Sequence, residues 1–563
     1  MPGLDRYINK NQAALFAGKT PYFGHDVESK LVPSPTGGWD AISPLSNMEP
    51  KFAVTLDNFV PRPGWVEIRG GYNAWSQGLG DPVETLMTYR PPTNTQQLFA
   101  AAGSTIWDVS TNGPYTAEVT GLSNARFQRI NFTPAGGSTY LYMVNGADTP
   151  ITYNGTVFSN PAITGVTPST LIHINVHKRR IWFIEANSTS AWYLATDAIQ
   201  GAASEFDLGA FMSRGGFLTA MATWTVDGGN GPDDLAVFIT SEGQFIVYKG
   251  TDPANPNAWA LVGVFNQPLP IGRRCFAPFG SDLVVITLEG LIPISKSLPF
   301  DPSGARSVAL TNRIQNAMLE VAQVGSSFFG WEVLTFPKQS LLIMNVPQQE
   351  LTSQVQFVMN SLTGAWARFT GWNANCFELF NDSLYFGDNE GNVNLAYAGA
   401  TDLVSPIAST VKCAFNYFED PGRNKYMSML RPMLVADGTL TPAIGVDVDF
   451  GDAALTASVT IVSPTGGVWD TSLWDSGLWS SGASTVINWL SVGAIGVALA
   501  IKMSVNLAGS GTSGSLISNS VFDTGVFDTA IFDGNGAITA SGTGLPVLRI
   551  NAFEAVMEFG GAI

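Results

Sequence analysis

Charge is scarce in this chain. Only 13% of its 563 residues are Asp, Glu, Lys or Arg, about half the ~25% usual in soluble domains. The basic share is smaller still: 28 Lys and Arg stand against 45 Asp and Glu, a formal net charge of −17. That balance counts against a tight, charge-driven nucleic-acid binder, which needs clustered cations to displace counterions from phosphates. Cysteine and histidine are nearly missing, three of each. Cys275, Cys376 and Cys413 stand far apart with no CxxC, so neither a disulfide scaffold nor a structural zinc site is indicated. The first residues lack the apolar core of a secretory signal. No apolar run reaches the ~20 residues of a spanning helix. The longest, from Val486 to Ile501, is broken by glycines and reads as a buried β-hairpin in a soluble chain.

Apolar residues, at 45%, and short strand-like runs are what the chain has in quantity. QLFAAAG and TIWDVS (97–109), RRIWFIEA and AWYLATD (179–197), LAVFITSEGQFIVYKG (235–250) and SLYFGDNEGNVNLAYAG (383–399) each set two apolar runs around a Gly, Asn or Asp turn. That is a hairpin signature. Hairpins at even spacing over such a length predict a closed or radial all-β architecture, because open edges invite aggregation. At ~40–50 residues per four-stranded blade, residues 76–405 predict a β-propeller of six to eight blades. One amphipathic helix is expected within it, over 306–324, with Leu310, Ile314, Ala317 and Val321 on one face and Gly325 as its stop. Residues 406–563 read as a separate β domain. It contains two aromatic pentapeptide runs, VWDTSLWDSGLWSSG (468–482) and VFDTGVFDTAIFDG (521–534). Trp469, Trp474, Trp479, Phe522, Phe527 and Phe532 in these runs are candidate anchors, either on a neighbouring subunit or on their own domain.

Catalytic and cofactor chemistry finds little support. His173 and His177 share a face of an alternating strand but have no third ligand at metal-site spacing, and they read as partly solvated. Gly18-Lys19-Thr20 resembles the end of a phosphate-binding loop, yet Ala13 stands where its first glycine is required. Lys178-Arg179-Arg180 and Arg273-Arg274 read as solvated turns. Asp447 and Asp449, with Asp452 just beyond, are the one carboxylate group suited to sugar hydrolysis, which needs two facing carboxylates. No catalytic residue, metal or cofactor is assigned.

Three stretches carry a family resemblance: SPLSNMEPKFAVTLDNFVPRPGWVEIRGGY (43–72), the region 240–295, and VMNSLTGAWARFTGWNANCFELFNDSLYFGDNEGNV (358–393). Together they are similar to the nozzle, or tail-hub, proteins of short-tailed bacteriophages. The resemblance covers about residues 40–400 and leaves the pentapeptide runs outside. It implies a non-enzymatic virion protein assembled in the host cytoplasm, a propeller with a β-sandwich-like platform on which residues 1–75 pack. It also implies a hexameric ring below the adaptor, or head-to-tail connector, with fibres or spikes docked on it, a plug closing it, and genomic DNA passing through without tight binding. An acidic lumen suits that passage, since phosphates would slide rather than stick. The loops 380–392 and 225–234 are candidates to line it. A carbohydrate-binding or carbohydrate-hydrolysing tail propeller is the alternative reading. In LDNFVPRPGWVEIRGGY, Pro61 and Pro63 fix φ and Pro63-Gly64 suits a tight turn. An extended arm, a turn and a strand are expected there, with Phe59 and Trp65 at least partly buried as anchors.

Overall fold

The hairpin spacing becomes blades. The computed structural model describes residues 27–93, 95–227, 232–436, 440–460, 484–507 and 548–562. Seven antiparallel sheets follow one another along the chain, and their first strands are Val83–Tyr89, Gln128–Phe132, Leu171–His177, Leu218–Asp227, Phe276–Phe279, Glu332–Phe336 and Ala374–Phe380. Each first strand lies innermost and packs on its neighbours. Val83–Tyr89 is buried along its whole length, whereas the outermost strand of the same blade, Thr116–Thr120, is mostly exposed. Together they form a seven-bladed β-propeller among the described residues.

The ring is closed by a strand from far upstream. Tyr72–Ser76 pairs antiparallel with Val393–Ala396 and becomes the outer strand of the seventh blade. The chain then runs straight into the first blade. Leu79, Val83, Leu86 and Leu98 of that blade share an apolar cluster with Cys376, Phe380, Tyr385 and Val393 of the last. Residues 72–76 therefore belong with the propeller, although the sequence reading placed all but the last of them in the arm.

The arm itself is a hairpin. Phe59–Arg62 pairs with Trp65–Ile68 across Pro63-Gly64. Gly64 takes φ +92°, a conformation glycine adopts without strain. Phe59 is fully buried and Trp65 half-buried.

Both ends of the described chain build a β-sandwich. One sheet joins Val27–Pro33 and Trp65–Ile68 to the edge of Leu548–Ala562, which pairs with the 14-residue strand Arg423–Ala436. That strand in turn pairs with Leu490–Gly496 and Ser484–Val486. The second sheet sets Phe52–Asp57 beside Ser405–Cys413, then Leu499–Leu507 and Ala443–Val448. Leu56, Val66, Val411, Met427, Leu430, Ile501, Met503 and Phe553 fill the space between them. The second sheet continues into the propeller: Phe52–Asp57 pairs parallel with Trp366–Phe369 of the sixth blade, and Thr401–Asp402 with Tyr72–Ser76 of the seventh.

Two expectations change. The run 486–501 is not a hairpin, because Leu490–Gly496 and Leu499–Leu507 pair with different strands in different sheets. The Asp449 carboxylate accepts the amides of Val497 and Ala498 at 2.8 and 2.9 Å, and the buried Lys425 ammonium donates to the Val497 carbonyl at 2.9 Å. Those contacts hold a corner between the sheets. The predicted helix is true α-helix only over Gln315–Gly325, preceded by 3-10 segments at Gly304–Val308 and Leu310–Ile314. The first turns are drawn out of α geometry by tertiary bonds: the Trp366 indole donates to the Leu310 carbonyl and the Ala41 amide to that of Arg313, each at 2.9 Å. Its deepest contacts are Ile314, Met318 and Ala322, with Leu310, Ala317 and Val321 flanking them. Gly325 does not end the helix through positive φ. A Cβ there would lie 2.8 Å from the Pro347 carbonyl, so the glycine permits close packing.

Candidate functional site

The joint between propeller and sandwich is a polar node in an otherwise apolar setting. Arg69 is fully buried, and all five of its N–H donors are used. It grips Asp402 with two parallel bonds of 2.6 and 2.8 Å. The other three donors reach Asn58 Oδ1 at 2.8 Å, the Gly70 carbonyl at 2.9 Å and the Thr370 carbonyl at 2.7 Å. The Trp372 ring lies 5.1 Å beneath the guanidinium, close enough for a cation–π contact. Asn58, held at φ +59°, receives the Thr370 amide at 2.9 Å and donates to Thr370 Oγ1 at 2.8 Å and the Ala408 carbonyl at 2.7 Å. One node thus ties the sixth blade, the sandwich and the ring-closing segment. Beside it Arg368 forks onto Asp57 at 2.7 and 2.8 Å.

Backbones at the joint pack closely. A Cβ on Gly71 would stand 1.9 Å from the Thr401 carbonyl oxygen. Gly71→Ala is therefore expected to cost roughly 2–3 kcal/mol, since the clash is with backbone and not with a movable side chain. Chemical denaturation of the variant beside the parent measures it.

The propeller axis holds a second charged network. Arg129 lies against Glu378, Nε to Oε2 at 2.8 Å, with Glu332 4.0 Å away. Burial opposes the Arg129 charge, but the two glutamates outweigh it and the guanidinium is held above its ordinary value. Arg274 is buried and donates to Thr85 Oγ1 at 2.6 Å and to the Glu84 and Phe127 carbonyls at 3.1 Å. Burial lowers its pKa. Arg126 pairs with Glu84 at 2.8 Å and Glu350 at 3.1 Å, and both Arg126 and Arg274 lie over the Phe329 ring. These side chains fill the axis with ion pairs between blades.

Several residues singled out in the sequence have other roles. Arg274 is a buried network member and not a solvated turn residue; only Arg273 beside it is exposed. Lys178 and Arg179 form the turn, with φ +46° and +60°, but Arg180 begins the next strand and is mostly covered; each pairs within the chain, with Asp234, Asp197 and Asp252. His173 and His177 share a strand face, but both are buried and not partly solvated. Burial, aided by Arg273, pushes His173 down to about 3; burial and Lys178 push His177 down to about 4. Strands of the fourth and fifth blades close over them, with Trp259 beside His177 and Phe276 beside His173, which strand alternation alone does not reveal.

Asp447 and Asp449 do not face each other. Asp447 is buried against Lys412 at 2.5 Å, while Asp449 lies beyond the strand at φ +46° and caps the 497–498 corner. Asp452 pairs with Lys502 at 2.5 Å. In the loop 380–392, Asp388 is buried and binds the amides of Glu390 and Asn392 at 3.0 and 2.8 Å, so it serves its own hairpin. The loop 225–234 lies partly outside the described residues, and Gly18-Lys19-Thr20 and all six pentapeptide aromatics lie wholly outside them. Cys275, Cys376 and Cys413 are buried and unpaired, and burial raises each thiol to about 12. Among the described residues no cluster of His, Cys, Asp and Glu is arranged to hold a metal, and no helix is long and apolar enough to cross a membrane. The joint was the part that sequence reasoning missed. Its only sequence signal was one arginine inside an otherwise strand-like run.

No protein-family profile matches the chain, and no curated protein does. Among solved structures, the WD40 β-propeller domain of Doa1 is 9% identical, with 58% of this chain and 96% of that one covered at a TM-score of 0.35. YCF48 bound to D1 peptide is 10% identical over 60% and 96% of the two chains, TM-score 0.35. BBS1N in complex with ARL6DN is 9% identical over 58% and 98%, TM-score 0.37. The chain's own strand pairing makes it a mostly-β protein with a propeller.

Proposed function

We propose that the chain is a structural subunit of the nozzle at the end of a short phage tail, forming a ring that meets the adaptor above and fibres, spikes or a plug beyond, and lets DNA pass. The observation that carries this reading is where the resembling stretch 43–72 lies. It supplies the second-sheet strand Phe52–Asp57, the hairpin 59–68 and Asn58 and Arg69 of the joint, and it runs up to the propeller-closing strand. The sequence that resembles nozzle proteins is the sequence that joins propeller to platform.

A propeller whose axis is occupied by Arg129, Arg274, Glu332 and Glu378 is suited to scaffolding. DNA would then pass between subunits. A negative chain suits that passage, because it holds no dense row of cations to bind phosphates. Electron microscopy of the purified protein tests the reading: six-fold rings are expected. Monomers at every concentration, or release of reducing ends from host polysaccharide that is abolished by Asp447→Asn or Asp449→Asn, would overturn it.

A further inference from the structure

The two outer faces of the sandwich differ in chemistry. The second sheet turns Thr410, Lys412, Lys502, Ser504 and Asn506 outward, with Lys412 and Lys502 paired to Asp447 and Asp452. That is an ordinary solvated face. The first sheet instead exposes Val27 (58%), Leu31 (64%), Tyr426 (38%), Met429 (38%) and Ile495 (62%), with Trp489 (37%) at its border.

The register places these residues together. Val27 and Tyr426 both stand opposite Glu558, and Ile495 stands on the other side of Tyr426. Ser29 and Met429 flank Val556; Leu31 and Arg431 flank Glu554. Directly opposed residues of antiparallel strands project to the same side. A register shift between Met427 and Met429 brings Met429 onto the face of Tyr426. The result is a face four strands wide on which Val27, Leu31, Tyr426, Met429 and Ile495 surround Val556, with Glu554 and Glu558 of the middle strand among them.

Two of its carboxylates, Glu554 and Glu67, are neutralised within the chain. Arg431 pairs with Glu554 and lies 4.8 Å over the Trp489 ring, while Ser29 Oγ donates to Glu554 at 2.5 Å. At the other end Arg549 and Arg62 both bind Glu67, at 3.3 and 2.8 Å. Exposed Trp, Tyr and Met with Arg, and few unpaired charges, is the composition of a protein interface core. Monomeric surfaces rarely gather apolar side chains this way.

We infer that this face is the contact through which one subunit seats a second copy of the same chain. The inference rests on the ring reading and names the surface that makes the ring. Copies that each carry a net charge of −17 repel one another over most of their surface. They meet most readily where charge is paired off within each subunit, as it is at Glu554 and Glu67. A nucleic-acid partner is unsuited, because Arg62, Arg431 and Arg549 are all committed to glutamates. In a cyclic ring the contact is heterologous, this face of one subunit meeting a different surface of the next.

The test is the assembly state of full-length protein by mass photometry and negative-stain microscopy, for the parent, Tyr426→Glu/Ile495→Glu and Ile495→Glu. Asn506→Glu, on the solvated sheet, is the control. The double variant is expected to raise the concentration for half-assembly by roughly 100-fold or more, since it puts unpaired charge in an apolar contact. Its circular dichroism and thermal midpoint should match those of the parent, and Asn506→Glu should assemble normally. If the double variant misfolds, the exposed single Ile495→Glu decides. Assembly undiminished in the folded variants overturns the inference and leaves the ring reading standing. A parent that forms an assembly other than a ring, dissolved by these substitutions, overturns the ring and keeps the interface. A parent that stays monomeric overturns both.

Discussion

Arg69→Met is expected to loosen the propeller from its platform at a cost of about 3–5 kcal/mol. The substitution leaves Asp402, nearly buried, without its partner, and leaves the Gly70 and Thr370 carbonyls and Asn58 Oδ1 each short of a donor. A buried anion deprived of its cation costs more than the pair contributed, because the desolvation penalty remains and the compensating attraction is gone. Asp402→Asn should cost less than Arg69→Met, since an amide keeps one acceptor for the guanidinium. Arg69→Met combined with Asp402→Leu should recover part of the loss, because no unpaired charge is left. The measurement is a double-mutant cycle on denaturant midpoints, with limited proteolysis between residues 62 and 82 reporting separation of the joint. If Arg69→Met unfolds at the parent midpoint and resists proteolysis equally, the node is not what holds the two parts together.

Stability is expected to fall steeply as pH drops from 6.5 towards 4, with His173 and His177 as the cause. Both imidazoles are buried between blades, and their folded-state values are about 3 and about 4. Unfolded, each takes a proton near pH 6.5; folded, each stays neutral until the pH is far lower. Across that window the unfolded state binds more protons, so stability is full above pH 6.5 and drains away below it. At about 1.4 kcal/mol per pH unit for each group, the loss by pH 4 is on the order of 3 kcal/mol per histidine. The double variant His173→Leu/His177→Leu should show a flatter pH dependence over 4–6.5, whatever its stability at pH 7. Denaturant titrations at several pH values in both proteins give the slopes. Equal slopes would mean that the histidines are solvated, as their alternating strand had suggested.

The sequence by itself determined the local events. Alternation of apolar residues around Gly, Asn and Asp turns makes hairpins whatever else the chain does, and their spacing settles a radial all-β fold. Pro63-Gly64 allows one kind of turn, and the structure has it. Scarce Lys and Arg determine a formal net charge of −17. Each of these is read along the chain without knowing which distant strands pair.

Only the tertiary structure decided the rest. No local rule says that Tyr72–Ser76 should pair with Val393–Ala396, more than 300 residues away, because strand partners are chosen by which edges remain open once the ring has formed. The same holds for the sandwich, where Val27–Pro33 joins Leu548–Ala562. Burial of His173, His177 and Arg274 follows from blades closing around the axis; the residues flanking them in sequence read as a strand and a turn in water. The helix over 306–324 kept its apolar stripe but lost its first α turns, because Trp366 and Ala41 bind its carbonyls from other parts of the chain. Asp447 and Asp449 alternate in sequence as a catalytic pair would, yet the strand ends between them and the second turns to cap a corner. Long-range pairing assigns each exposed or buried place, and a side chain's chemistry follows from the place it is assigned.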